Sequence, residues 1–320
     1  MKHKNGVMSV KAIIEKITEQ IQEGIYPGAS LALYRKGQWS EHYLGLADPE
    51  KGEPVEADLV YDLASVSKVV GVATICAFLY AKGELALDRP FKELYPRFAH
   101  EKTTIRELLT HTSGLDPFIP NRDQLDARQL KTALENLQLK EDKSFHYTDV
   151  NFLLLGFWLE DRFHQPLDRL FEELIFTPWK MTETRFGPVE KAVPTVRGLA
   201  SGSVHDPKAR VLGCHAGSAG LFSTVADLER FLEHYLKEDF ARDLSQNFAR
   251  EEGKTRALGW NLEGDWLDHT GYTGTFIMYN RKRQEAVIFL SNRTYEKDER
   301  AQWILDRNSL MDLIKQEFEQ

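Results

Sequence analysis

The sequence predicts an α/β (α+β) fold in which an antiparallel sheet is flanked by helices and a mainly helical lobe is inserted. Three observations predict it. Residues 29–34 and 39–44 are strand-like, with the turn signal Lys36-Gly37 between them. Further strand-like segments crowd the other end, near 256–262, 266–271, 274–280 and 285–291. Between them, from about 88 to 195, the pattern turns helical and proline-interrupted. The two ends therefore share one sheet: residues 1–87 and 196–320 form the α/β lobe and 88–195 the helical lobe.

Each element has a local reason. Val10, Ile13, Ile14, Ile17 and Ile21 recur at helical spacing, which predicts an amphipathic helix over 9–24 closed by Gly24. After Pro54 and Tyr61-Asp62-Leu63-Ala64, the apolar run from Val69 to Leu79 predicts a buried helix ending at Lys82-Gly83. Thr104-Ile105-Arg106-Glu107 reads as a capping box, with Gly114 as the stop. Thr224-Val225-Ala226-Asp227 caps a helix running to about 237, and Arg281-Lys282-Arg283-Gln284 turns the last hairpin. A closing helix over 299–318 presents Trp303, Leu310, Leu313 and Ile314 on its apolar side.

Composition narrows the function. The 320 residues, 42% hydrophobic and 28% charged, suffice for a large core and exclude disorder. A net charge of -8, with 41 basic residues scattered along the chain, argues against a nucleic-acid partner. Cys76 and Cys214 lie in an apolar run and beside a Gly-rich stretch, so both are expected to be small buried residues rather than a disulfide. Cys214-His215 has no second Cys/His cluster to complete a tetrahedral site, and no metal is expected. Residues 1–8 lack an apolar leader core, and no apolar run is judged long enough to span a membrane; a cytoplasmic address follows.

Ser65-Val66-Ser67-Lys68 opens the buried helix, and helical spacing sets Lys68 one turn beyond Ser65 on the same face. A lysine so placed can activate a serine as a base or as a positive charge. Tyr147-Thr148-Asp149 precedes a second apolar helix. His269-Thr270-Gly271-Tyr272-Thr273-Gly274 lies in a Gly-punctuated strand, where backbone approaches a ligand closely.

Taken together, these three stretches resemble the serine β-lactamase and penicillin-binding protein superfamily, in its class C-like branch of carboxypeptidases, esterases and muropeptide amidase-like hydrolases. Its signatures are Ser-x-x-Lys, Tyr-x-Asn and a Lys-Thr-Gly or His-Thr-Gly strand. Leu108-Leu109-Thr110-His111-Thr112-Ser113-Gly114-Leu115 and the stretch from Gly213 to Ser223 are also similar to that branch, and the resemblance spans roughly residues 10 to 295. It implies a β-lactamase/transpeptidase-like fold with the active site in the groove between lobes. It further implies catalytic roles for Ser65, Lys68 and Tyr147, with Lys68 and Tyr147 both open as the base. Asp149, His269, Thr270, Gly271 and Tyr272 are implied on the substrate side, and the Ser65 and Tyr272 N–H groups as an oxyanion hole.

The chain departs from the pattern twice. Asp149 stands where Asn is usual and His269 where class C β-lactamases carry Lys, so efficient β-lactam hydrolysis is not expected. Asp149 is expected to hold Lys68 as an ammonium, to cap its helix, or to do both. His111 and His205 are expected to serve structure, and His215 to line the groove or fix a loop. The expected function is a serine hydrolase that needs no cofactor and takes a small-molecule or peptide substrate: a D-amino-acid peptide, a muropeptide or a small ester. The alternative is a penicillin-binding sensor or scaffold that acylates without turnover.

Overall fold

A computed structural model describes residues 8–250 and 254–319. The elements run α1 (Met8–Gln22), β1 (Gly28–Arg35), β2 (Gln38–Asp48), β3 (Glu53–Pro54), β4 (Tyr61–Asp62), α2 (Thr74–Ala81), α3 (Phe91–Leu94), α4 (Ile105–Thr110), α5 (Ala127–Glu135), α6 (Val150–Phe163) and α7 (Leu167–Phe171). They continue with β5 (Arg185–Phe186), α8 (Pro207–Leu212), β6 (Leu221–Ser223), α9 (Val225–Lys237), β7 (Asn261–Glu263), β8 (Trp266–Thr270), β9 (Phe276–Asn280), β10 (Glu285–Ser291) and α10 (Arg300–Glu319).

The first and last strands meet in a seven-stranded sheet of order β3-β2-β1-β10-β9-β8-β7, antiparallel at every pairing. Lys36 and Gly37 both take positive φ, at 52° and 80°, as the two-residue β1–β2 turn requires. One face of the sheet packs on α1 and α10 through Ile13, Ile17, Phe289, Trp303 and Ile314. The other face joins a larger apolar interior that runs through α2, α6, α7 and α9. A small sheet of order β4-β6-β5 lies beside the start of the nucleophile segment.

Several boundaries differ from expectation for local reasons. Residues 256–260 form a loop rather than strand, because the buried Arg256 guanidinium turns back onto Asn261 and the Gly259 carbonyl. Helix α4 stops at His111, which takes a left-handed φ of 58°, not at Gly114. In α10, Met311 and Phe318 are buried while Leu313 is only half-buried. Cys76 is buried and Cys214 half-buried, both as free thiols.

The stretch Ala64–Ala81 corrects the reading that no apolar run is long enough to span a membrane. It is 18 residues long with mean hydropathy 1.6, sufficient by length and composition, yet 78% of it is buried inside the protein. The residue-1–7 part of the leader reading lies outside the described residues.

Candidate active site

The nucleophile segment is not a regular α-helix. Residues Ala64–Val66 form a 3₁₀ turn and Val69–Ala73 a π-helical turn before α2 proper begins. The wide turn is stabilised by the Thr74 hydroxyl, which donates to the Val69 carbonyl at 2.6 Å. Ala64 sits at φ 44°, a left-handed conformation that costs an alanine about 1–2 kcal/mol. That strain is braced from three sides. The Asp62 carboxylate accepts from the Ala64 N–H at 2.8 Å, and the Thr273 and Thr275 hydroxyls donate to the carbonyls of Asp62 and Leu63 at 2.9 and 3.1 Å. Gly271 must be glycine here, since a Cβ would come within 2.6 Å of the Leu63 carbonyl oxygen.

This mounting brings Ser65 and Lys68 together. The Lys68 ammonium, fully buried, donates to Ser65 Oγ at 3.0 Å, to Asp149 Oδ1 at 2.7 Å and to the Ser218 carbonyl at 2.9 Å. Three N–H groups meet three acceptors. Burial alone would push the Lys68 pKa down, but the Asp149 carboxylate and Tyr147 outweigh it and hold it above its ordinary value. Burial likewise pushes the Asp149 carboxyl up, and Lys68 and Lys208 overturn that, holding it below the usual carboxylate range. Asp149 does not cap α6: it sits at the N-cap position in helical conformation with no side-chain bond to the helix. The ion-pair reading of Asp149 therefore matches the geometry and the capping reading does not.

Tyr147 is 37% exposed at the site, with its ring centroid 5.3 Å from Lys68 Nζ. The support behind it is built by α4 and its stop. The His111 ring packs 4.6 Å from the Tyr147 ring, and its Nδ1 accepts from the Thr148 N–H at 3.4 Å and lies 3.1 Å from the Asn151 amide nitrogen. His111 thus has the structural role expected of it. Burial pushes its pKa well below the ordinary imidazole value, aided by Arg256 and Lys68.

The strand residues divide. Tyr272, 37% exposed, lines the cavity, whereas His269, Thr270 and Gly271 do not. His269 is 2% exposed and lies behind Tyr147 with ring centroids 6.1 Å apart. Burial, then the nearby Lys68 and Arg256 charges, hold it neutral, and neither ring nitrogen has a partner among the described residues. The Thr270 hydroxyl accepts from Arg307 at 3.1 Å. Among the described residues, the Ser65 and Tyr272 N–H groups make no hydrogen bond to another protein group.

The cavity above Ser65 has a volume of about 880 Å³. Its wall includes Tyr147, Asp149, Lys208 and Tyr272, together with the exposed Phe118 and the His205 ring, which lies tilted against Tyr272 with centroids 5.4 Å apart. His215 lies outside it and pairs with Glu160 at 2.5 Å. Lys208, whose Nζ is 3.2 Å from Asp149 Oδ2, and the Ser218 carbonyl went unnoticed in the sequence. Nothing in Asp206-Pro207-Lys208 beyond a helix start marks them. Among the described residues, no group of three or more His, Cys, Asp or Glu side chains is arranged to hold a metal ion.

Comparison with known proteins bears on the family and the fold. A family model described as "Beta-lactamase" matches residues 13–310. A protein of Escherichia coli O157:H7 named "Putative D-alanyl-D-alanine carboxypeptidase" is 27% identical over 352 residues, covering 87% of this chain and 81% of the relative. Among solved structures, a β-lactamase/D-alanine carboxypeptidase from Pseudomonas syringae superposes with a TM-score of 0.78 at 19% identity, covering 97% of this chain and 99% of that one. EstCE1, described as a hydrolase with promiscuous acyltransferase activity, superposes with a TM-score of 0.77 at 19% identity, covering 96% and 98%. At these identities the two structures show the shared fold.

Proposed function

The chain belongs to the β-lactamase family, and from that premise we propose that it is a serine hydrolase forming an acyl-enzyme on Ser65 with an amide or ester substrate. The observation that carries this reading is the buried Lys68 ammonium 3.0 Å from Ser65 Oγ, at the floor of a cavity large enough for a peptide or ester. Ser65 attacks the carbonyl carbon, and the unbonded N–H groups of Ser65 and Tyr272 receive the developing oxyanion. As an ammonium with every N–H engaged, Lys68 has no lone pair with which to accept a proton. It serves as positive charge that stabilises negative charge on Tyr147 Oη. Tyr147, as phenolate, takes the serine proton and hands it to the amine or alcohol, which leaves as its bond to the carbonyl carbon breaks and the acyl group stays on Ser65.

The substrate is a D-amino-acid peptide, a muropeptide or a small ester, consistent with relatives named for D-alanyl-D-alanine carboxypeptidase and for hydrolase activity. With His269 neutral and buried in place of a lysine, β-lactam turnover is slow or absent. The rival reading, a penicillin-binding sensor, shares the acylation step and differs only in deacylation.

Intact-protein mass after a fluorophosphonate probe, alongside p-nitrophenyl acetate turnover, tests both. A Ser65-dependent adduct with sustained turnover is expected, and Ser65→Ala abolishes both. A single stoichiometric burst supports the sensor instead, and an adduct that survives Ser65→Ala sinks the reading.

A further inference from the structure

Asp149 is shared between two lysines that reach it from different parts of the chain. Lys68 takes Oδ1 at 2.7 Å and Lys208, at the start of α8, approaches Oδ2 at 3.2 Å. Lys208 is itself well covered, with 14% of its side chain exposed, and its second anion, Asp206, is farther away, its Oδ2 at 3.7 Å while its Oδ1 caps α8 through the Ala209 N–H. The Lys68 ammonium has as many N–H groups as acceptors, and one of those acceptors is the nucleophile. A fourth strong acceptor beside it would compete with Ser65 Oγ. Asp149 Oδ2 is that acceptor, and Lys208 is what occupies it.

We propose that Lys208 is a positioning residue that acts on Ser65 through Asp149: by holding Oδ2 it confines Lys68 to Oδ1 and keeps the remaining Lys68 donor on the nucleophile. Charge-assisted bonds to a carboxylate are stronger than a bond to a hydroxyl, so an unclaimed carboxylate oxygen wins the competition for a lysine N–H. The other charged or titratable groups near Lys68 are Tyr147, His111, His269 and, behind them, Arg256. Burial holds the two imidazoles neutral, Tyr147 carries no cation, and the Arg256 guanidinium is turned onto Asn261 and the Gly259 carbonyl, so none of the four replaces Lys208 on the carboxylate.

The inference rests on Ser65 being the nucleophile and is tested separately from it. The rate of Ser65 labelling by a fluorophosphonate probe and kcat and KM for p-nitrophenyl acetate are measured for Lys208→Met and Lys208→Arg. Lys208→Met is then repeated in an Asp149→Asn background, where the amide offers one oxygen and no competition exists. Lys208→Met is expected to lower the labelling rate and kcat at least tenfold with KM little changed. Lys208→Arg restores most of the loss. In the Asp149→Asn background, Lys208→Met changes the rate less than threefold.

Equal losses in both backgrounds would mean that Lys208 acts by direct substrate contact, by its own field or by packing, and would overturn the proposal. A rate for Lys208→Met equal to that of the wild type would overturn it too. Should Lys208→Met fail to fold, Lys208→Gln in both backgrounds decides the same question. Labelling that persists in Ser65→Ala marks failure of the nucleophile assignment and is read independently of any Lys208 variant.

Discussion

At the start of α5 the Asp126 carboxylate accepts from the Gln129 N–H at 2.8 Å, and Gln129 Oε1 in turn accepts from the Asp126 N–H at 3.0 Å. At the start of α6 the Asp149 carboxylate accepts nothing from its own helix and binds Lys68 and Lys208 instead. The same residue type at the same position does two different jobs, and burial explains why. Helix α5 buries only Leu130, Leu134 and Glu135, whereas α6 buries ten consecutive residues from Val150 to Leu159. A short surface helix needs its cap to form. A helix held by that much apolar burial can do without about 1 kcal/mol of capping and leave its N-cap carboxylate to another task.

The sharpest way to break this contrast is at the lysine. Lys68→Met removes the positive charge beside Ser65 while Lys208 still neutralises Asp149, so the fold should survive. Ester turnover and Ser65 labelling are expected to fall by a factor of about a thousand, within the range for loss of a group that assists proton transfer or charge development. A variant keeping near-normal rates would leave Asp149 with no chemical reason to abandon its cap.

Asp149→Asn has the next largest effect, and its sign follows from the pair. Asp149 holds the Lys68 pKa above its ordinary value. With that anion gone the folded-state pKa drops, so Lys68 loses its proton at lower pH and the basic limb of the kcat/KM profile moves downward. Removing an opposite charge at this distance shifts such a limb by about one pH unit or more. A profile of Asp149→Asn that overlays the wild type would show that Asp149 does not govern the ionisation of Lys68.

The parts of this site that were legible in the sequence are the ones whose geometry is local. Ser65 and Lys68 lie within one turn, and Tyr147 and Asp149 flank one helix start, so spacing alone brings each pair near. Thr104 and Thr224 cap their helices as their sequences indicate. Short apolar runs bounded by turn signals placed β1, β9 and β10, which are buried on both faces of the sheet. What stayed hidden depends on contacts across the chain or on backbone states without a residue signature. The Ser218 carbonyl reaches Lys68 across 150 residues, and any residue could supply it. The strained conformation at Ala64 is imposed by Asp62, Thr273 and Thr275, and alanine itself gives no sign of it. An apolar run also reads alike whether its turns are 3₁₀, π or α.

The smallest expected effect belongs to the ordinary member of the comparison. Asp126→Ala leaves the Gln129 N–H without its side-chain acceptor in a helix with little burial to compensate. Loss of such a cap costs about 1 kcal/mol. Chemical denaturation should register that loss, while kcat and KM for p-nitrophenyl acetate stay at wild-type values, because Asp126 does not line the cavity. Asp149→Asn should give the opposite pattern, a moved pH profile with no capping loss, since there is no cap bond to lose. Were both substitutions to cost equal stability and leave the profile alone, the two helix starts would be equivalent, and the division of labour drawn between them would collapse.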